Sequence, residues 1–175
     1  GRAGIMLAWG YDGAPLRLSY RGLGVLAVGI AYGPLVVGGC YLVQAGTVSA
    51  GAVHAGASLG LLIACFLWIN QFPDYRADRT AGKRNLVVRL GPPLAARIFA
   101  LLQVAGFTWL ALAAYWADAP GLLWGLLGAI PALFAVRRLL RSPHDIPALI
   151  PAQAATLATF LLLAAGAGLG YLLTA

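Results

Sequence analysis

Asn70, Asp74 and Asp78 stand at four-residue intervals at the head of the segment NQFPDYRADRTAGKRNLVVRLG, Asn70–Gly91. On a helix, residues four apart are offset by only about 40°, so the two carboxylates share a face. Proline suits a first helical turn, and Pro73 therefore predicts a helix that opens just before the pair. Arg76, Arg79 and Lys83 fall on the opposite side of that wheel, so no basic neighbour neutralises the aspartates along the helix. Like charges at this spacing repel by a few tenths of a kcal/mol, which invites a counterion. Acidic residues also complement the dipole of a first turn; that accounts for Asp74 better than for Asp78 and leaves Asn70 unexplained. Oxygen donors without His or Cys suit a hard cation. Mg²⁺ in particular is held by one or two carboxylates plus substrate phosphates.

The basic half of the segment fits the same chemistry. Arg79, Lys83 and Arg84 follow the aspartates, with Gly82 allowing the chain to turn. Arginine forks match phosphate oxygens and lysine supplies a point charge. Carboxylates, Mg²⁺ and cations beside an apolar cavity stabilise a departing diphosphate mainly by electrostatics. The GK of Thr80–Arg84 is not a Walker loop, because the first glycine and the Ser/Thr are absent.

The elements that must position this loop are set by composition. The chain has 175 residues, 61% of them hydrophobic and 10% charged, with five acidic residues, all of them Asp. Soluble domains carry about a quarter charged residues, so lipid is the solvent for most of this chain. A helical span needs about 20 mostly apolar residues. Residues Gly22–Val43, Ala50–Ile69, Leu94–Trp116, Gly121–Val136 and Ala152–Leu173 meet the requirement, and the stretch before Trp9 reads as the end of a further helix. The prediction is an all-α polytopic transmembrane bundle, one domain over residues 1–175, with residues 70–92 as its motif loop. Eleven of the twelve basic residues lie in alternate connections, at Arg17 and Arg21, from Arg76 to Arg97, and at Arg137, Arg138 and Arg141. This positive-inside pattern places those loops in the cytosol and the C-terminus outside. It explains the net charge of +7 without nucleic acid, and it is also the simplest account of any one basic residue in the loop.

Within the spans, Gly56/Gly60, Gly121/Gly125 and Gly166/Gly170 have the spacing of close helix contacts. Pro34 and Pro131 predict kinks, tolerated where neighbours satisfy the freed backbone. His54 reads as a buried, hydrogen-bonded histidine. Cys40 and Cys65 read as small core residues without disulfide or zinc spacing.

With its DxxxD pair and the following GKR stretch, the segment from Asn70 to Gly91 resembles the second aspartate motif of the UbiA superfamily of intramembrane aromatic prenyltransferases. The family's loop lies between the sixth and seventh of nine helices. Two spans before the loop and three after it therefore correspond to helices five to nine. Tyr20-Arg21-Gly22-Leu23-Gly24, Tyr32-Gly33-Pro34-Leu35 and Gln44-Ala45-Gly46-Thr47 resemble the branch that prenylates 1,4-dihydroxy-2-naphthoate in menaquinone biosynthesis. The resemblance implies a prokaryotic inner-membrane enzyme that uses Mg²⁺ to hold a polyprenyl diphosphate. Ionisation gives an allylic cation that the aromatic acceptor attacks, with loss of carboxylate in the naphthoate branch. It further implies that Asp74 and Asp78 ligate the metal with Asn70 as support, that Lys83, Arg84 and Arg79 meet the diphosphate, and that Tyr20 and Arg21 reach the same site. Two features depart from the family. Its first motif, NDxxDxxxD, does not occur in these residues, so they are expected to form half an active site and to be inactive alone. Val25 stands where the naphthoate branch often has an acidic residue.

Acceptors of another quinone, haem or chlorophyll pathway stay open. Among other classes, a transporter fragment would carry ionisable residues near the bilayer midplane, and these spans hold no acidic residue. A CDP-alcohol phosphotransferase would need a longer aspartate signature. A non-catalytic membrane remnant is the third rival.

Overall fold

A computed structural model describes residues 1–174. It is all-helical among these residues, and its order follows the hydrophobic segments. Helix α1 (Arg2–Asp12) leads through a turn to α2 (Gly24–Ile30), a π turn (Ala31–Leu35) and α3 (Val36–Ala45), then α4 (Ala50–Asn70). Two short helices follow, α5 (Tyr75–Thr80) and α6 (Leu86–Leu90), and then α7 (Pro92–Trp116). A 3₁₀ segment (Pro120–Gly128) runs into α8 (Ala129–Arg141), and α9 (Ile146–Thr174) ends the bundle. Five of these stretches, Gly24–Ala45, Ala50–Asn70, Pro92–Trp116, Pro120–Arg141 and Ile146–Thr174, are long and apolar enough to cross a membrane. Val43, Ile130 and Leu172 are 87%, 74% and 74% exposed, and so many bare aliphatic side chains suit contact with lipid, not water.

At Pro34 the helix passes through a π turn: the N–H of Val36 reaches the carbonyl of Ala31, five residues back, where the missing proline donor would break an α ladder. Pro131 lies inside the span Pro120–Arg141. It sits in the first turn of α8, and the irregularity lies just before it in the 3₁₀ segment. The last span begins at Ile146, not Ala152. Asp145 Oδ1 accepts the N–H of Ala148, which caps the helix, and Pro147 falls in the first turn, where its missing donor costs nothing.

The predicted small-residue pairs are packing surfaces. A Cβ on Gly33 would meet the backbone of Gly56 and Gly60, and one on Gly60 would meet Gly29 and Gly33, so α2, the π turn and α4 touch backbone to backbone. Gly121 and Gly170 stand against each other in the same way, joining the 3₁₀ segment to α9. One buried cluster (Trp68, Ile69, Phe72, Val87, Phe99, Leu139, Leu149) lies under the motif loop; a second (Leu62, Leu110, Leu122, Leu163) fills the far end.

Two residues differ from expectation. Cys65 is buried but Cys40 is exposed, because α3 buries no residue. His54 is half-buried, and its ring lies 5.7 Å from that of Trp109 and 5.5 Å from that of Trp116. It is the His54 carbonyl, not the imidazole, that accepts a hydrogen bond, from Trp109 Nε1 at 3.1 Å. Gln103, 2% exposed on α7, has no partner among the described residues for either end of its amide. An unpaired buried amide destabilises by about 1–3 kcal/mol, so Gln103→Leu is expected to hold or raise the midpoint of thermal unfolding in detergent. A clear fall would mean the amide has a partner in the assembled protein.

Candidate functional site

The motif loop is built on the end of α4. Asn70 closes that helix, residues 71–74 turn, and Asp74 is the N-cap of α5. Pro73 therefore precedes the helix instead of occupying its first turn. The expected face survives, because the N–H of Asp78 donates to the Asp74 carbonyl at 2.8 Å, which makes the two aspartates successive residues of one helical stripe. The Asp74 side chain is exposed and accepts no capping hydrogen bond.

Asp78 is not unpartnered, and here the helical wheel misleads. α5 stops at Thr80, and Gly82 takes a left-handed conformation, φ +71°, that a side chain would resist. The N–H of Lys83 reaches back to the Asp78 carbonyl at 2.9 Å and that of Gly82 to Arg79 at 3.3 Å, a Schellman closure. The chain doubles back, and Lys83 Nζ comes to 3.3 Å from Asp78 Oδ1, the one ion pair among the described residues. On the other carboxylate oxygen, Asn85 Nδ2 donates to Oδ2 at 2.5 Å. The Asn85 Oδ1 accepts the N–H of Val88 at 2.9 Å and so caps α6. Asn85 was not among the candidates. Its one sequence signal is its place just before the apolar run LVV, where an asparagine cap is favoured.

Tyr20 is brought to the loop. Its carbonyl accepts the N–H of Arg84 at 3.0 Å, and Lys83 Nζ lies 6.0 Å from its ring centroid. Arg17 stacks over the same ring at 4.8 Å. Gly22, at φ +80°, passes against the Arg84 carbonyl and the Arg89 side chain, while Arg89 Nε donates to the Arg84 carbonyl at 2.8 Å. The Ser19 hydroxyl donates to Asp12 Oδ1, holding this turn to the end of α1. Burial, and then Asp12, push the Tyr11 phenol up, while Lys83 pulls it down. Arg21, Arg79 and Arg84 are exposed, and Arg79 makes a long 3.5 Å contact with the Tyr75 hydroxyl.

Asn70 points elsewhere: its Oδ1 accepts a hydrogen bond from Gln153 Nε2 of α9 at 2.8 Å. That contact ties the motif to the last span, and it leaves the oxygen's second lone pair open. Beside the turn lies a cavity of about 340 Å³ between Phe72, Pro73, Tyr75 and Arg76 and the link Pro143–Pro147; neither aspartate lines it. The three basic connections therefore meet at one end of the bundle.

No group of three or more His, Cys, Asp or Glu side chains gathers among the described residues. Two carboxylates on one face cannot enclose a cation alone. They suit an ion whose remaining ligands are water and substrate phosphate, and Lys83 already marks Asp78 Oδ1 as a place that holds positive charge.

The fold and the loop together define a helical membrane protein with an oxygen-donor and cation cluster at one end of its bundle. Residues 1–149 match the UbiA prenyltransferase family. The chain belongs to that family and is an integral membrane protein. It is 30% identical over 143 residues to a 2-carboxy-1,4-naphthoquinone phytyltransferase of Synechocystis, covering 82% of this chain and 47% of the relative. It is 36% identical over 112 residues to a 1,4-dihydroxy-2-naphthoate octaprenyltransferase of Escherichia coli, covering 64% and 36%. A 33 kDa chain of bacteriochlorophyll synthase from Cereibacter sphaeroides is 31% identical over 156 residues, covering 80% and 47%. The chain thus spans about half the length, or less, of these curated relatives. No solved structure matches it significantly.

Proposed function

We propose that this chain forms the second-motif half of a prenyltransferase that moves a polyprenyl group from its diphosphate to an aromatic acceptor, 1,4-dihydroxy-2-naphthoate in menaquinone biosynthesis. The observation that carries the reading is the fold-back of Lys83 and Asn85 onto Asp78, which concentrates two carboxylates and a set of cations on one loop. Asp74 and Asp78 would hold Mg²⁺, with Asn70 supporting the turn. When bound, the ion would neutralise charge growing on the departing diphosphate. Lys83 and Arg84 would take the diphosphate oxygens, Arg79 from one helical turn away. Tyr20 and Arg21 would close the same mouth, since the Tyr20 backbone is bonded to Arg84. The basic connections would face the cytosol of a prokaryotic inner membrane and the C-terminus the outside. There a water-soluble aromatic acid and a membrane-borne diphosphate can meet.

The name of the Escherichia coli relative supports the dihydroxynaphthoate acceptor, and the bacteriochlorophyll synthase relative supports a tetrapyrrole as the second reading. Expressed from its full natural reading frame, the protein is expected to transfer prenyl groups to dihydroxynaphthoate, to stop when EDTA is added, and to resume with excess Mg²⁺. Transfer only to a chlorophyllide would move the assignment to the second reading. Transfer unaffected by chelation would remove the metal from it.

A further inference from the structure

We propose that Asp78 has one permanent and one exchangeable partner: Asn85 fixes the carboxylate, and Lys83 holds the cation's place until metal and diphosphate arrive. The proposal rests on the reading of Asp78 as a metal ligand and extends it to two residues that act through Asp78. Asn85 is a positioning residue; Lys83 is a stand-in charge.

The two contacts differ in kind. Asn85 is 1% exposed, and both ends of its amide are engaged, Nδ2 on Asp78 Oδ2 and Oδ1 on the N–H of Val88. Withdrawing it would uncap α6 and strand a buried donor, so it stays. Because Nδ2 occupies Oδ2, the second oxygen, Oδ1, is left to meet a cation in a set direction. Lys83 meets that oxygen through a single 3.3 Å contact, and its side chain is 31% exposed. Its four-carbon stem is flexible and its ammonium is a compact point charge. The Tyr20 ring, 6.0 Å away, and the diphosphate give that ammonium other places to rest.

A metal ion and Lys83 compete for Oδ1, so the lysine should weaken metal binding in the empty site. A diphosphate offers Lys83 a better partner and releases Oδ1. Metal and diphosphate should therefore bind with positive coupling, and by linkage the coupling is reciprocal. Without Lys83 the bare metal should bind more tightly and the coupling should shrink.

Mn²⁺ is a suitable probe, titrated into the full natural chain in detergent, with free ion followed by electron paramagnetic resonance and inorganic diphosphate absent or present. The relevant site is the one that disappears in Asp78→Asn. At that site, Lys83→Met is expected to bind Mn²⁺ several-fold more tightly and to lose most of the enhancement by diphosphate. Asn85→Ser keeps a capping oxygen for Val88 but cannot span to Asp78; it is expected to bind Mn²⁺ about 10–100-fold more weakly, as losses of outer-shell partners do. Unchanged or weaker binding in Lys83→Met overturns the exchange, and unchanged binding in Asn85→Ser overturns the positioning. If Asp78→Asn removes no site at all, the metal reading falls, and this proposal with it.

Discussion

Asp78→Ala in the full natural chain is expected to lower prenyl transfer by about a thousandfold, or roughly 4 kcal/mol of transition-state stabilisation. The expectation follows from where Asp78 sits. Its carboxylate is the point on which the loop closes: Lys83 meets one oxygen and Asn85 the other, and its own N–H and carbonyl bond to Asp74 and Lys83. Alanine would remove a proposed metal ligand and leave a lysine and a buried amide without their acceptor. Asp74→Ala should cost less in stability, because the Asp74 side chain is exposed and makes no capping bond. Its loss of activity should nonetheless be comparable if both carboxylates bind the ion. Asp118, which follows α7 at the opposite end of the bundle from the motif, is the control, and Asp118→Ala should be nearly silent. Transfer measured with labelled prenyl diphosphate decides the matter. Full activity in Asp78→Ala would separate the aspartates from the chemistry.

The spans were legible because their cause is simple. Length and hydropathy dictate a membrane-crossing helix, and α4 and α7 begin and end within two residues of the expected bounds. The failures have local causes. The last span is expected from Ala152, yet Pro147 occupies a first turn capped by Asp145, so α9 starts six residues early. The 3₁₀ form of Pro120–Gly128 has no strong local signal. It arises where three buried glycines, Gly121, Gly125 and Gly128, lie against α9.

The site was legible in its residue types but not in its closure. The wheel that set Lys83 opposite the aspartates assumed a helix continuing past Thr80. Gly82 was read as a permissive turn, and the consequence, that the turn returns Lys83 and Asn85 to Asp78, depends on a three-dimensional path that spacing does not encode. Gln153 was invisible for a related reason. Its partner Asn70 is 83 residues away in sequence, and only the packing of α9 on α4 brings them together. The match to the family agrees with the superfamily read from the loop; the acceptor rests on the names of partial relatives.

The second large effect is expected far from the aspartates, at Gly60. α4 carries the motif loop at its end, and the turn containing Tyr20 enters through α2, so the two halves of the candidate site are joined by the contact between these helices. That contact is made of backbone: a Cβ on Gly60 would press on the Gly29 carbonyl and lie 3.3 Å from Gly33 Cα, and one on Gly33 would strike Gly56 and Gly60. No flexible side chain stands there to move aside. Gly60→Leu must therefore separate the helices, and overpacking of this kind costs about 1–3 kcal/mol, occasionally more. The expected result is a drop of several degrees in the unfolding midpoint in detergent, together with a large loss of prenyl transfer, because the Tyr20–Arg84 bond cannot close across a widened gap. Gly39 on α3 has open space around it, and Gly39→Leu should change neither quantity. If Gly60→Leu lowered stability yet left activity intact, the Tyr20 segment would have no part in the site. If it lowered neither, the backbone contact between α2 and α4 would be wrong.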